Sequence, residues 1–181
     1  MTFNGLSWGY TDSAEVAPYS YSAQQIIRML LSVAHGSGNL LLNIGPAPDG
    51  SVPAEAIAPL TTVGKWLRRH GKVIYGKRDV HDIWVPSGSS TCKGDKIYVV
   101  HYVTPKLGYM PVNGINSKVL SVRCLSDGAP RDFEQEGHVL RILGVTPGTD
   151  TIANIPAYEI TVEHTPAKHK RSIVCVLEEV K

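Results

Sequence analysis

No run of apolar residues in this sequence approaches the roughly 18–20 that cross a bilayer. No membrane partner is expected on that ground. The first residues, Met1-Thr2-Phe3-Asn4-Gly5, lack the basic region and apolar stretch of a secretory signal, and localisation stays open. Cysteine is scarce: Cys92, Cys124 and Cys175 are far apart, odd in number, and none belongs to a CxxC pair. Such spacing argues against a structural zinc site. Each lies in or near a strand-like run, so buried free thiols are expected. The seven histidines form no HxxxH or HxH pair, so neither a metal nor another cofactor is expected. Charge imbalance is also missing. A net +2 is too little to hold nucleic acid, which asks for a clustered basic face. The one basic cluster, Lys168-His169-Lys170-Arg171, reads as a solvated turn between two strand-like runs. There is no internal repeat and no low-complexity tract.

What is present is enough for a folded chain. The 181 residues are 43% hydrophobic and 19% charged, which suits a buried core. At roughly 100–200 residues per domain, the length allows one ordinary domain and a small extra piece. The texture changes near residue 78. Before it, strand and helix alternate. Ser22-Ala23-Gln24-Gln25 has the form of a capping box, with Ser22 as N-cap and Gln25 reaching back. Over residues 22–35, Ile26, Ile27, Leu30, Leu31, Val33 and Ala34 form a broad apolar surface at helical spacing. Gln24, Arg28, Ser32 and His35 leave one polar stripe. Gly36-Ser37-Gly38 should end the helix through a left-handed glycine.

Asn39–Ile44 reads as a strand. Its continuous apolar run suits a parallel strand covered on both faces. Pro46-Ala47-Pro48-Asp49-Gly50 is a turn-rich loop, with Asp49 a turn residue. Pro53 is placed to open a helix whose stripe is Ile57, Leu60, Val63 (or Gly64) and Leu67. Arg68, Arg69 and His70 suit its negative end, and Gly71 stops it. From about residue 79 the pattern is all-β. The strand candidates are Val80–Val85, Ile97–Val103, Lys118–Leu125, His138–Leu143, Ala157–His164 and Ser172–Glu178. Turn signals separate them, as in a sandwich. The fold class expected is α+β in two parts. Residues 1–78 form the end of a (β/α)8-type barrel and residues 79–181 an antiparallel β-sandwich.

Three motif groups occur in order. They are Ser7-Trp8-Gly9-Tyr10, then Gly38–Pro46, then Asp49-Gly50-Ser51-Val52-Pro53 with Gly64-Lys65-Trp66-Leu67 and Gly71–Gly76. Together they resemble the C-terminal portion of the α-L-fucosidases of glycoside hydrolase family 29, over about residues 1–78. The resemblance implies a barrel that releases terminal α-L-fucose with retention, followed by a β-sandwich, and a fucosylated glycan as partner. A retaining glycosidase needs two carboxyls about 5–5.5 Å apart. In this family both lie upstream of the segment where the chain starts. A barrel of eight strands needs about 250 residues, so no catalytic residue is assigned here. Thr11–Pro18 departs from the family's more basic pattern, and neither Asp12 nor Glu15 has a motif-placed partner carboxylate.

The resemblance gives Trp8 the position that packs on the fucose ring and methyl group. An indole face suits the apolar side of a sugar and excludes water. Tyr10 is a second substrate-binding candidate, and Asn4 and Ser7 share its loop. Asn43, the third, closes the last strand, where polar barrel residues face the site. It could equally bind its own loop's amides. Trp66 reads as helix packing. Trp84, Tyr98 and Tyr102 read as core or cross-strand aromatics, with a carbohydrate platform as the other reading. Two further functions stay open beside the fucosidase fragment. One is a non-catalytic carbohydrate-binding sandwich. The other is a truncated enzyme completed by homo-oligomerisation or by a partner chain carrying the missing barrel portion, since an incomplete barrel bares apolar faces and strand edges.

Overall fold

A computed structural model of the chain describes residues 7–12, 21–75 and 81–166. The boundary expected at 78, Asn4, Glu15, the cluster 168–171, the strand Ser172–Glu178 and Cys175 lie outside the described residues.

Helix α1 spans Ala23–His35. Its capping box forms as expected. Ser22 Oγ accepts from the Gln25 amide, and Gln25 Oε1 accepts from the Ser22 amide at 2.7 Å. The helix exit differs from expectation. Gly36 has φ −78°, and the left-handed residue is Ser37 at φ +57°. The Gly38 amide then bonds back to Val33 O at 2.7 Å. Helix α2 spans Ala54–His70, with Pro53 one step outside it as N-cap. Its buried face is Ala56, Val63, Trp66 and His70, rotated from the expected stripe. Ile57 is left 52% exposed. Trp66 sets this rotation: it is fully buried and its Nε1 donates to Ile155 O at 2.9 Å. Gly71 opens a short 3-10 turn, Gly71–Val73, in a right-handed conformation.

Seven strands follow among the described residues: β1 Gly88–Lys93, β2 Lys96–His101, β3 Tyr109–Asn113, β4 Val119–Cys124, β5 Phe133–Glu136, β6 Val139–Leu143 and β7 Ala157–Val162. They make one sheet in the order β1-β2-β7-β4 and another in the order β3-β6-β5, all pairs antiparallel. Period-two alternation sends Ile97, Val99, Tyr158, Ile160 and Val162 to the face between the sheets. There they meet Met110, Val112, Leu140 and Ile142. Buried Cys92 and Cys124 are free thiols in this core.

The opposite face of the larger sheet is covered by the helices. Tyr98, Val100 and Ala157 share a second core with Ile26, Ile27, Leu31, Val63 and Trp66. The chain therefore has three layers, helices over sheet over sheet, and β2 and β7 contribute to both cores.

Two expected strands do not form. Asn39–Ile44 is extended but carries only an isolated bridge residue at Asn43. A parallel strand exists only with neighbours on its edges, and the described residues place no strand beside it. Of the expected strand Val80–Val85, Val80 lies outside the described residues, and among the described residues 81–85 only Trp84 bridges, to Asn113. Trp84 is also 61% exposed and so is not the core or paired aromatic expected.

Candidate functional site

The loop holding Trp8 and Tyr10 is fixed to the end of segment 39–44 by one side chain. Asn43 Nδ2 donates to Trp8 O at 2.6 Å, and Asn43 Oδ1 accepts from the Gly45 amide at 3.4 Å. Gly45 lies at φ +57°, and a Cβ there would sit 2.9 Å from Gly9 O. Only glycine lets these two backbones approach so closely. Ser7 Oγ accepts from the Gly9 amide at 3.1 Å and tightens the loop from its other side. The side chains so held face outward: Trp8 is 60% exposed and Tyr10 45%. The structure thus brings the three sequence-derived residues to one place. Asn43 does so as a fastener, since both ends of its amide serve backbone groups.

Beside the loop runs a cleft of about 370 Å³. Tyr10, Thr11 and Asp12 line one side, and Ser51, Val52 and Glu55 lie on the other. Asp12 and Glu55 are each engaged in other interactions. Asp49 is the turn residue expected. It accepts from the Ser51 amide at 2.9 Å and the Ser51 hydroxyl at 2.7 Å, and these bonds hold its carboxyl below the ordinary range. Among the described residues, no group of three or more His, Cys, Asp or Glu side chains is placed to hold a metal ion.

Two features at the helix–sheet joint were not visible as pairs in the sequence. His70 and Asp150 meet, both side chains fully buried, at 3.4 Å from Nε2 to Oδ1. Burial pushes the Asp150 carboxyl up, but bonds from His70 and from the Ala153 and Ile155 amides outweigh it and hold the pKa below the ordinary value. The 80 residues between the partners hid the pair. The second feature is a groove beside α1. Its signal in the sequence was the polar stripe Arg28, Ser32 and His35, which lines the groove opposite Trp84.

Comparison with solved structures gives the class first: the helices against an antiparallel two-sheet unit are similar to part of solved α-L-fucosidases. An α-L-fucosidase isoenzyme from Paenibacillus thiaminolyticus is 29% identical with a TM-score of 0.75, over 90% of this chain and 39% of that one. The Thermotoga maritima α-fucosidase is 28% identical with a TM-score of 0.71, over 88% and 38%. Sequence comparison points to the same proteins. Residues 1–72 match the family model described as alpha-L-fucosidase. The plasma α-L-fucosidase of Rattus norvegicus is 30% identical over 72% of this chain and 30% of its own length. That of Homo sapiens is 29% identical over 81% and 33%. The chain is a relative of the α-L-fucosidases of glycoside hydrolase family 29 in sequence and fold, consistent with their C-terminal portion. It spans about a third of the length of these curated relatives.

Proposed function

We propose that this chain serves an α-L-fucosidase, a retaining glycoside hydrolase releasing terminal α-L-fucose, and supplies a wall of its sugar pocket. In this reading residues 1–78 are the terminal segment of a (β/α)8-type barrel and residues 79–181 its supporting sandwich. Trp8 packs on the apolar face of the fucose, Tyr10 bonds a hydroxyl at the rim, and Asn43 keeps the loop in register. The observation that carries the reading is the Asn43–Gly45 corner. It holds an exposed indole within the segment that matches the fucosidase family. The two carboxyls that retention requires come from outside this sequence, so the chain alone does not turn over.

The third hypothesis, completion by another chain, draws on a separate observation. Leu41 is 71% exposed and Tyr75 59%. Beside them Leu30, Val33 and Leu40 line a hollow of about 310 Å³. Such a face suits the preceding elements of a barrel, on the same polypeptide or on a partner.

The test has two arms. The purified chain is expected to leave an aryl α-L-fucoside intact. Joined behind the barrel portion of a related fucosidase, in place of that enzyme's own C-terminal part, it is expected to support hydrolysis. Trp8→Ala should then lower kcat/KM by about tenfold or more, roughly 1.4 kcal/mol of transition-state stabilisation. Turnover by the chain alone that disappears with Trp8→Ala would overturn the assignment of the carboxyls to another segment. A joined enzyme indifferent to Trp8 would remove it from the site.

A further inference from the structure

We propose that the groove between α1 and β1 is a second binding site, for a pyranose sugar bearing an anionic group such as a carboxylate. The inference is independent of the fucosidase reading. The groove has a volume of about 390 Å³, within the range of small-molecule sites. Its two walls differ in kind. One carries the indole of Trp84, 61% exposed although its backbone is held by bonds to Asn113 in both directions. The other is the face of α1 carrying Arg28, Ser32 and His35, four and three residues apart and so stacked on one side of the helix. A ligand that satisfies both walls has one apolar face and a rim of hydroxyls, which describes a pyranose ring. A flat aromatic acid would leave Ser32 and His35 unused.

The charge of the groove selects among sugars. No lining residue is acidic, and Arg28 is its fixed cation. Arg28 is already oriented: Nη2 donates to Tyr102 O at 3.1 Å, and the guanidinium carbon lies 5.3 Å from the centre of the Tyr102 ring. That contact spends one of five donors, so an anion meets a positioned fork. His35 Nδ1 donates to Ser90 O at 2.9 Å, and its ring sits edge-on to buried His81. This leaves Nε2 for the ligand. The floor is also locked. Ser89 Oγ donates to Leu31 O at 3.1 Å and Ser90 Oγ to Ile83 O at 2.8 Å. Binding therefore demands little rearrangement.

The test is titration of the full chain with glucuronic acid at fixed ionic strength, read by amide chemical shifts and tryptophan emission. Glucose and benzoate are run in parallel. Glucuronate is expected to saturate in the millimolar range, with glucose and benzoate each at least about tenfold weaker. Trp84→Ala should abolish saturation and Arg28→Gln should reduce glucuronate to the level of glucose. Trp8→Ala, on the other site, should change nothing. Both groove residues are exposed, and far-UV circular dichroism checks that the variants fold. Ser32→Ala, a milder change, should weaken glucuronate and leave benzoate alone. The proposal is overturned by no saturable change at tens of millimolar, by benzoate matching glucuronate, or by binding that survives Trp84→Ala.

Discussion

Asp150 organises the loop 150–155 and ties it to helix α2 through His70. Its Oδ2 accepts from the Ala153 amide at 2.9 Å and the Ile155 amide at 3.1 Å. Its Oδ1 faces the Ile152 amide and His70 Nε2, each at 3.4 Å. These donors favour the charged carboxylate, so the folded-state pKa lies below that of the unfolded chain. The stabilisation is then complete above the ordinary carboxylate pKa and is lost as pH falls through the depressed one. Asp150→Asn should remove about 3 kcal/mol at neutral pH, because an amide nitrogen then faces amide donors. It should also flatten the acid limb of the stability profile. Urea denaturation at stepped pH measures both, and an unchanged acid limb would mean that Asp150 titrates alike folded and unfolded. None of this was legible in the sequence, where Asp150 stands in a turn-rich stretch like any surface acid. By contrast, Asn43 was legible as a residue that either faces a site or bonds its own loop's amides, and its bond from the Gly45 amide is of the second kind, while its bond to the Trp8 carbonyl was not foreseen.

At the scale of the element, β1 is the instructive case. Gly88-Ser-Ser-Thr-Cys-Lys has little apolar character and reads as a break, yet Ser89, Ser90 and Thr91 are buried. Their hydroxyls account for it: each donates to a backbone carbonyl, of Leu31, Ile83 and Val73 respectively. Burial without apolarity leaves no period-two hydrophobic signal. Thr91→Val keeps the shape and the strand propensity but strands the Val73 carbonyl. It is expected to cost about 1–3 kcal/mol in chemical denaturation, and a neutral result would mean that this carbonyl finds water. Two other strands were missed for different reasons. β3 contains Pro111, which is tolerated because β3 is an edge of its sheet and a missing amide there costs no ladder bond. β5 reads Phe-Glu-Gln-Glu, the polar composition of the other edge. α1 and β7 were legible because local signals, the capping box and strict alternation, agree with their tertiary surroundings. Asn39–Ile44 was over-read, because an apolar run specifies burial and its pairing depends on elements elsewhere.

The whole molecule is layered, and the layers do not part at residue 78 energetically. Because β2 and β7 face both cores, removing the helices would uncover Tyr98, Val100 and Ala157 together with Ile155. We expect residues 7–166 to unfold in one transition, with coincident signals from buried Trp66 and from the strands. Residues 79–181 made alone should self-associate or melt at least several degrees lower. A monomeric sandwich with an unchanged melting temperature would instead establish two independent domains. The hydroxyl row of β1 bears on this joint in another way. Apolar contacts tolerate sliding, whereas Ser89 and Thr91, aimed at the Leu31 carbonyl of α1 and the Val73 carbonyl just after α2, do not, and Ser90 between them is anchored to Ile83 on the sandwich side. The row therefore works as a key. A helix pair transplanted onto a different sandwich would stick without it, but would settle at no defined angle. A designer borrowing this scaffold should move the Ser-Ser-Thr row along with the helices.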